Sequence, residues 1–285
     1  MLKPDFYIHD NNEAGEDIPQ YRLLMEVNAN SFCYVLMNLK GMRPVEIKCF
    51  QLDQFKGPQQ LAEVLAEIID RPEFPSGAPN ETFLVYNYPE SNLVPERYFS
   101  SEVNKSFSNL VYGDLHPELM LTEKIPWWDL YNVFRIPSEV HAALQQRFST
   151  GKYWHFYSLQ LKSHKMFNSR EELEHMKVIF YTDKLVVIIL KEGRLQLIQT
   201  FPYQDAKDAV YHLLNCCQQL HLNQDSMKVE ISGMVDRNSA LYSELHKYFM
   251  NLSFEAIEDS IKITDELREF PLHYFSSLLK MSVCV

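Results

Sequence analysis

The chain is 285 residues long, 46% apolar and 23% charged, enough for one large or two ordinary domains with full hydrophobic cores. Its net charge of −11, with no run of Lys and Arg, argues against nucleic-acid and anionic membrane partners, both of which are met by clustered cations. Only 8 glycines occur, which is few for a phosphate-binding protein, because phosphate loops use Gly where the backbone approaches the ligand.

After a loose acidic entry at Asn11–Gln20, three short apolar runs read as strands: Leu23–Val27, Phe32–Leu39 and Val45–Phe50. Gly57-Pro58 opens a helix through Ile69, with Leu61, Val64, Leu65, Ile68 and Ile69 on one face. Pro72 and Pro75 end it, and Thr82–Tyr86 reads as a strand buried on both faces. The middle is less regular. Pro95–Asn109 reads as a helix, and Leu119–Ile125 with Asp129–Ile136 as a hairpin turning at Pro126-Trp127-Trp128. Pro137–Phe148 reads as a helix, and Tyr157–Leu161 fits either a strand or a helix running to Lys165.

Ser169–His175 is polar and helical in pattern and marks the boundary between halves. The opening pattern then returns: strands Val178–Tyr181, Leu185–Leu190 and Leu195–Phe201, a helix from Asp205 to about Leu220, and a strand Met227–Ile231. Asp205 is the expected N-cap. A helix near Asn238–Met250, a strand near Ser253–Ile257 and a terminal helix Pro271–Lys280 complete the chain. Two domains are expected, 1–168 and 169–285.

Met1–Asn12 carries Pro4, Asp5 and Asp10 in place of a leader's apolar core, and the longest aliphatic run, Leu185–Leu190, is too short for a bilayer. The five cysteines include no CxxC pair, which fits reduced thiols and a cytoplasmic location. Among ten histidines there is no HxxxH or HExxH, and His212 and His221 point to different helix faces, so no metal site is expected. No G-x-S-x-G, P-loop or G-x-G-x-x-G is present, and no catalytic residue is assigned.

Two tandem βββαβα halves resemble the actin-like ATPase superfamily, a duplicated ribonuclease-H-like α/β fold with a cleft between the halves. The stretch Gln199-Thr200-Phe201-Pro202-Tyr203 through Asp208, Tyr211 and Leu220, followed by Ser232-Gly233, is similar to a bacterial family of proteins of unknown function with this fold, distantly similar to pilus-assembly actin-like proteins. The resemblance implies D-x-G turns that touch phosphate and metal, and a Gly-Gly pair beside adenosine. Here the first turn reads Asn28-Ala29-Asn30-Ser31, and the second reads Thr182-Asp183-Lys184-Leu185. The glycine pair is reduced to Ser232-Gly233. Asn28 removes charge that Mg²⁺ favours, and bulky side chains crowd both turns.

The expectation is therefore a binding or scaffold module without ATPase activity and without a cofactor. The alternative is an ATP- and Mg-dependent ATPase or phosphotransferase, with Asp183 near the metal, Thr182, Lys184 and Ser31 on phosphates, and Gly233 beside the base. Trp127, Trp128 and Tyr131 form either an aromatic core or a patch for a protein partner. On a strand, adjacent Trp127 and Trp128 point to opposite faces, so at least one of them is expected to be exposed.

Overall fold

The computed structural model describes residues 2–10, 20–75, 77, 79–113, 118–167 and 174–285. These residues divide into two compact units. The first comprises 1–166 together with Ser260–Glu266 and Met281–Val285, and the second comprises Phe167–Asp259 and Leu267–Lys280.

Along the chain, the first unit contains strands β1 (Phe6–His9), β2 (Tyr21–Val27), β3 (Ser31–Asn38) and β4 (Arg43–Gln51), then helix α1 (Pro58–Ile69) and β5 (Glu81–Tyr86). Next come β6 (Ser91–Pro95), α2 (Ser101–Tyr112), β7 (Glu118–Ile125), β8 (Leu130–Pro137), α3 (Ser138–Arg147), β9 (Lys152–His155) and α4 (Phe156–Phe167). A six-stranded sheet runs in the order β1-β4-β3-β2-β5-β9. The β2–β3–β4 meander is antiparallel, while β5 and β9 add in parallel. Leu23, Met25, Phe32, Tyr34 and Phe50 line one face and bury the apolar sides of α1 and α3. Proline at the head of α1 follows Gly57 at φ 83°, where any side chain would be strained.

A separate three-stranded antiparallel sheet, in the order β6-β8-β7, is inserted between β5 and β9. Its hairpin turns through a single 3-10 turn, Pro126–Trp128, followed by Asp129 in the left-handed region at φ 51°. The hairpin lies at the expected place, but the two tryptophans sit in this turn and not on a strand, so the alternation argument applied to them does not hold.

The second unit contains β10 (Glu174–Phe180), β11 (Lys184–Lys191), β12 (Arg194–Pro202), α5 (Ala206–Gln219), β13 (Lys228–Gly233), α6 (Ala240–Leu245) and β14 (Asn251–Phe254). Its sheet order is β12-β11-β10-β13-β14, with an antiparallel meander and two parallel additions, as in the first unit. Asp205 caps α5 as expected, its carboxylate accepting from the backbone N–H groups of Lys207 at 2.7 Å and Asp208 at 3.0 Å. Ala209, Val210, Leu213 and Cys217 of α5 pack on Val178, Val187 and Ile189 of the sheet.

The C-terminal stretch carries α7 (Asp265–Arg268) and α8 (Ser276–Cys284), along which the chain passes from one unit to the other. Phe275, Leu279 and Met281 are fully buried, as the apolar composition of this stretch required.

Several elements differ from their sequence expectations. Pro95–Asn109 is the end of β6, a 3-10 turn and then α2, because Pro95 cannot donate a helical hydrogen bond. The Tyr157–Lys165 stretch is helical, within α4. The helix expected at Asn238–Met250 is confined to Ala240–Leu245, capped by Ser239. The next strand falls at Asn251–Phe254, a few residues earlier than expected. The terminal helix starts only at Ser276, after a 3-10 turn at Leu272–Tyr274. Of the boundary segment Ser169–His175, residues 169–173 lie outside the described residues, and Glu174-His175 begin β10. The Asn11–Gln20 loop also lies outside them except for Gln20.

Candidate functional site

In the first unit, Asn28, Asn30 and Ser31 form the tight β2–β3 turn, held almost entirely by its own side chains. The Asn28 carboxamide oxygen accepts from the backbone N–H of both Asn30 and Ser31 at 2.8 Å, and its nitrogen donates to the Ser31 hydroxyl at 2.6 Å. The Asn28 N–H also bonds the Ser31 carbonyl at 3.0 Å, and Leu52 N–H bonds the Asn30 carbonyl at 2.7 Å. Asn28 is 2% exposed. The residue that stands where a carboxylate would face a metal is thus a structural brace, directed into its own turn.

In the second unit, the β10–β11 turn is built differently. Tyr181 N–H bonds the Lys184 carbonyl at 2.8 Å, and Tyr203 braces the turn from β12's end. The Tyr203 hydroxyl donates to the Tyr181 carbonyl at 2.6 Å, and its N–H bonds the Asp183 carbonyl at 3.1 Å. Lys184 is buried, its ammonium 5.1 Å from the centre of the Tyr181 ring. Thr182 is exposed and Asp183 partly exposed at the turn's tip.

Ser232 and Gly233 end β13 beside the same end of β10, where Gly233 pairs with Phe180. A Cβ on Gly233 would lie 2.1 Å from the Phe180 carbonyl oxygen, and its φ is 80°. The glycine therefore has a complete backbone explanation in strand packing. Ser232 is fully buried, and its hydroxyl finds no protein partner. The second unit thus gathers Thr182, Asp183, Lys184, Ser232 and Gly233 at one end of its sheet, while Asn28, Asn30 and Ser31 cluster within the first unit. No group of His, Cys, Asp and Glu able to hold a metal occurs among the described residues.

The aromatic patch is partly exposed. Trp127 is 51% exposed, with the Lys162 ammonium 5.6 Å from its ring centre. Trp128 is half-buried and donates its indole N–H to the Leu161 carbonyl at 3.1 Å. Tyr131 stacks on Phe99 at 4.0 Å between ring centres.

Sequence reasoning missed the outward face of α2. Val103, Phe107, Leu110 and Val111 are exposed, Leu110 at 82%, while Asn104 and Ser108 are buried. Tyr112 on the same inner side donates its hydroxyl to the Ser91 carbonyl at 3.1 Å. The helix therefore turns small polar side chains inward and presents its apolar side to water, the reverse of an ordinary surface helix. The signal lay in the spacing of residues 103, 107, 110 and 111, which marks an apolar face without saying which way it points. Glu123 is a second missed group: burial pushes its carboxyl up to about 7, against the opposing bonds from the Ser158 hydroxyl and the His155 N–H, the latter at 2.7 Å.

Two sheets of matching strand order, each with the same meander and parallel additions, define a protein with an actin-like ATPase fold. The chain belongs to the family described as protein of unknown function, DUF3822, whose model matches residues 10–252. It is similar to a Bacteroides thetaiotaomicron protein with actin-like ATPase fold and unknown function, at 15% identity and a TM-score of 0.72, covering 91% of this chain and 95% of that one. It is also similar to the PilM-PilN type IV pilus biogenesis complex at 11% identity and a TM-score of 0.54, covering 92% and 97% of the two chains. No curated protein matches it in sequence. No helix among the described residues is long and apolar enough to cross a membrane.

Proposed function

We propose that this chain is a cytoplasmic binding module that retains the actin-like architecture without ATPase chemistry, and that it holds a protein partner. The observation that carries the reading is the inverted helix α2. Of the ten large apolar side chains exposed among the described residues, six fall between Tyr98 and Trp127, four of them on α2. A concentration of this kind marks an interaction surface more often than chance exposure does. The exposed positions follow helical spacing, i, i+4, i+7 and i+8, with no charge within the stripe, which suits an apolar helix of the partner laid alongside or a groove that receives α2. Trp127, with Trp128 and Tyr131 beside it in sequence, is a second exposed anchor for a protein partner. PilM, a chain of the same fold, occurs in a complex with PilN, which supports a binding role for this architecture.

The turns are poorly suited to nucleotide chemistry. Asn28 lacks a charge for Mg²⁺, and its amide is committed to the turn. Calorimetric titration with Mg-ATP and Mg-ADP tests this, using wild type and Asn28→Asp. The expected result is no saturable binding in either, since the carboxylate alone does not free the turn. Low-micromolar binding, with hydrolysis abolished by Asp183→Ala, would establish the ATPase alternative with ATP and Mg instead. For the surface, Phe107→Glu/Leu110→Glu is expected to lose an identified partner's binding while keeping its melting temperature. Self-association in sedimentation equilibrium that this variant abolishes would make the occupant a second copy of the chain.

A further inference from the structure

The five cysteines read as buried reduced thiols from sequence, but two of them are cross-strand neighbours. Cys33 of β3 lies directly opposite Cys49 of β4. The Cys49 carbonyl accepts the Asp5 N–H at 2.8 Å, so its backbone groups are turned toward the chain at β1 and away from β3. That makes Cys33 and Cys49 a non-hydrogen-bonded pair of the β3–β4 ladder, the closer of the two pair types, with Cα atoms about 4.5 Å apart in an ordinary antiparallel sheet. Disulfides bridge Cα separations of about 4.4–6.8 Å, so the backbone already stands within range. Cys49 is buried, whereas Cys33 is only partly buried. Neither Cys216, Cys217 nor Cys284 is open in this way: all three are buried.

We propose that Cys33 and Cys49 are a redox modification site, closing to a reversible disulfide that ties β3 to β4. With a low-molecular-weight disulfide such as oxidised glutathione as the oxidant, the Cys33 thiolate attacks one glutathione sulfur. The glutathione S–S bond breaks, one glutathione leaves as thiolate and takes up a proton, and a mixed disulfide remains on Cys33. The Cys49 thiolate then attacks the Cys33 sulfur, expelling the second glutathione. The protein dithiol is oxidised by two electrons, oxidised glutathione is reduced to two glutathione thiols, and the two protein thiol protons end on those products.

The surroundings set the rate. The adjoining Cys49 thiol, burial, and the nearby Glu26 and Asp5 carboxylates all raise the Cys33 thiol well above its ordinary range. The thiolate is the attacking form, so closure is slow at neutral pH and accelerates roughly tenfold per pH unit while the thiol remains mostly protonated. Such a pair ignores brief oxidation and records sustained oxidation.

The test uses the full reduced chain, equilibrated in a glutathione redox series, acid-quenched, alkylated and mapped by peptide mass spectrometry. The expected product is a peptide pair joined through Cys33 and Cys49, lighter than the dithiol by two hydrogens and restored by dithiothreitol. Its rate of formation should rise with pH. Cys33→Ser and Cys49→Ser should each abolish it, but wild-type mapping decides the matter even if a variant folds poorly. Failure to form this cross-link at any ratio up to fully oxidised glutathione overturns the proposal. So does oxidation that joins Cys216, Cys217 or Cys284, or that stops at a stable glutathione adduct.

Discussion

Glu255, just past β14 in the second unit, offers the sharpest test of what holds that unit together. Its side chain is fully buried between two ammonium groups, Lys177 Nζ at 2.7 Å and Lys280 Nζ at 2.8 Å. Its other oxygen accepts from the Ser276 hydroxyl at 2.9 Å. Burial alone raises the carboxyl's pKa, but the combined pull of Lys177 and Lys280 outweighs it and takes the group down to about 2. Relative to an ordinary glutamate near 4.5, this corresponds to about 3 kcal/mol of stability. Because the folded-state pKa is depressed, that stability is fully present above about pH 4.5 and is lost as pH falls toward 2.

Glu255→Gln removes the charge that both ammonium groups face, while Lys280 keeps Glu258 at 2.8 Å and Lys177 keeps the nearby Glu230 carboxylate. Breaking a buried pair in this way costs about 3–5 kcal/mol, a drop in melting temperature on the order of 10 °C. Urea unfolding at pH 7 and pH 3 reads both effects: a large loss at pH 7, and a smaller one at pH 3, where the wild type has already given up part of the advantage. A Glu255→Gln variant within 1 kcal/mol of wild type at pH 7 would refute the reasoning.

Gly233→Ala places a methyl 2.1 Å from the Phe180 carbonyl at a φ of 80°, so it should destabilise the second unit by at least about 2–3 kcal/mol in urea unfolding, without any need for a ligand effect. Trp127→Ala, at a half-exposed site, should change stability by less than about 0.5 kcal/mol. Trp128→Ala, which loses an indole hydrogen bond and a half-buried ring, should cost about 1–3 kcal/mol, and acrylamide quenching should weaken most on losing Trp127.

Much of the architecture was legible because the central strands are long apolar runs and the helices carry clean faces. Val186–Ile189 could hardly be anything but a strand buried on both sides, and Asp205 announced its helix. The strands that escaped, β1, β6 and β9, are short, partly polar and lie at sheet edges, where pairing partners and not local pattern decide the conformation. The candidate site was legible as residue identities but not as roles. That Asn28 would fold its amide back onto Asn30 and Ser31 depends on the turn's geometry, and that Gly233 serves strand approach depends on its register with Phe180. Cys33 and Cys49 were both placed on strands, yet their opposition follows only from the β3–β4 register, which no local spacing encodes.

The first unit is discontinuous along the chain. Arg22 in β2 donates to the carbonyl of Ser282 at 2.9 Å, and Lys262 N–H bonds the carbonyl of Met42 at the same distance. Residues separated by most of the sequence thus meet inside one unit, with nearly all of the other unit synthesised between them. All six strands of the first sheet lie between Phe6 and His155, so during translation the sheet can pair before the second unit is made, whereas its contacts with Ser260–Glu266 and Met281–Val285 must wait until nearly all of the second unit has been synthesised. A ribosome-stalled series should then show the earlier-made unit gaining protease resistance in two steps, the second only when residues 260–285 have emerged.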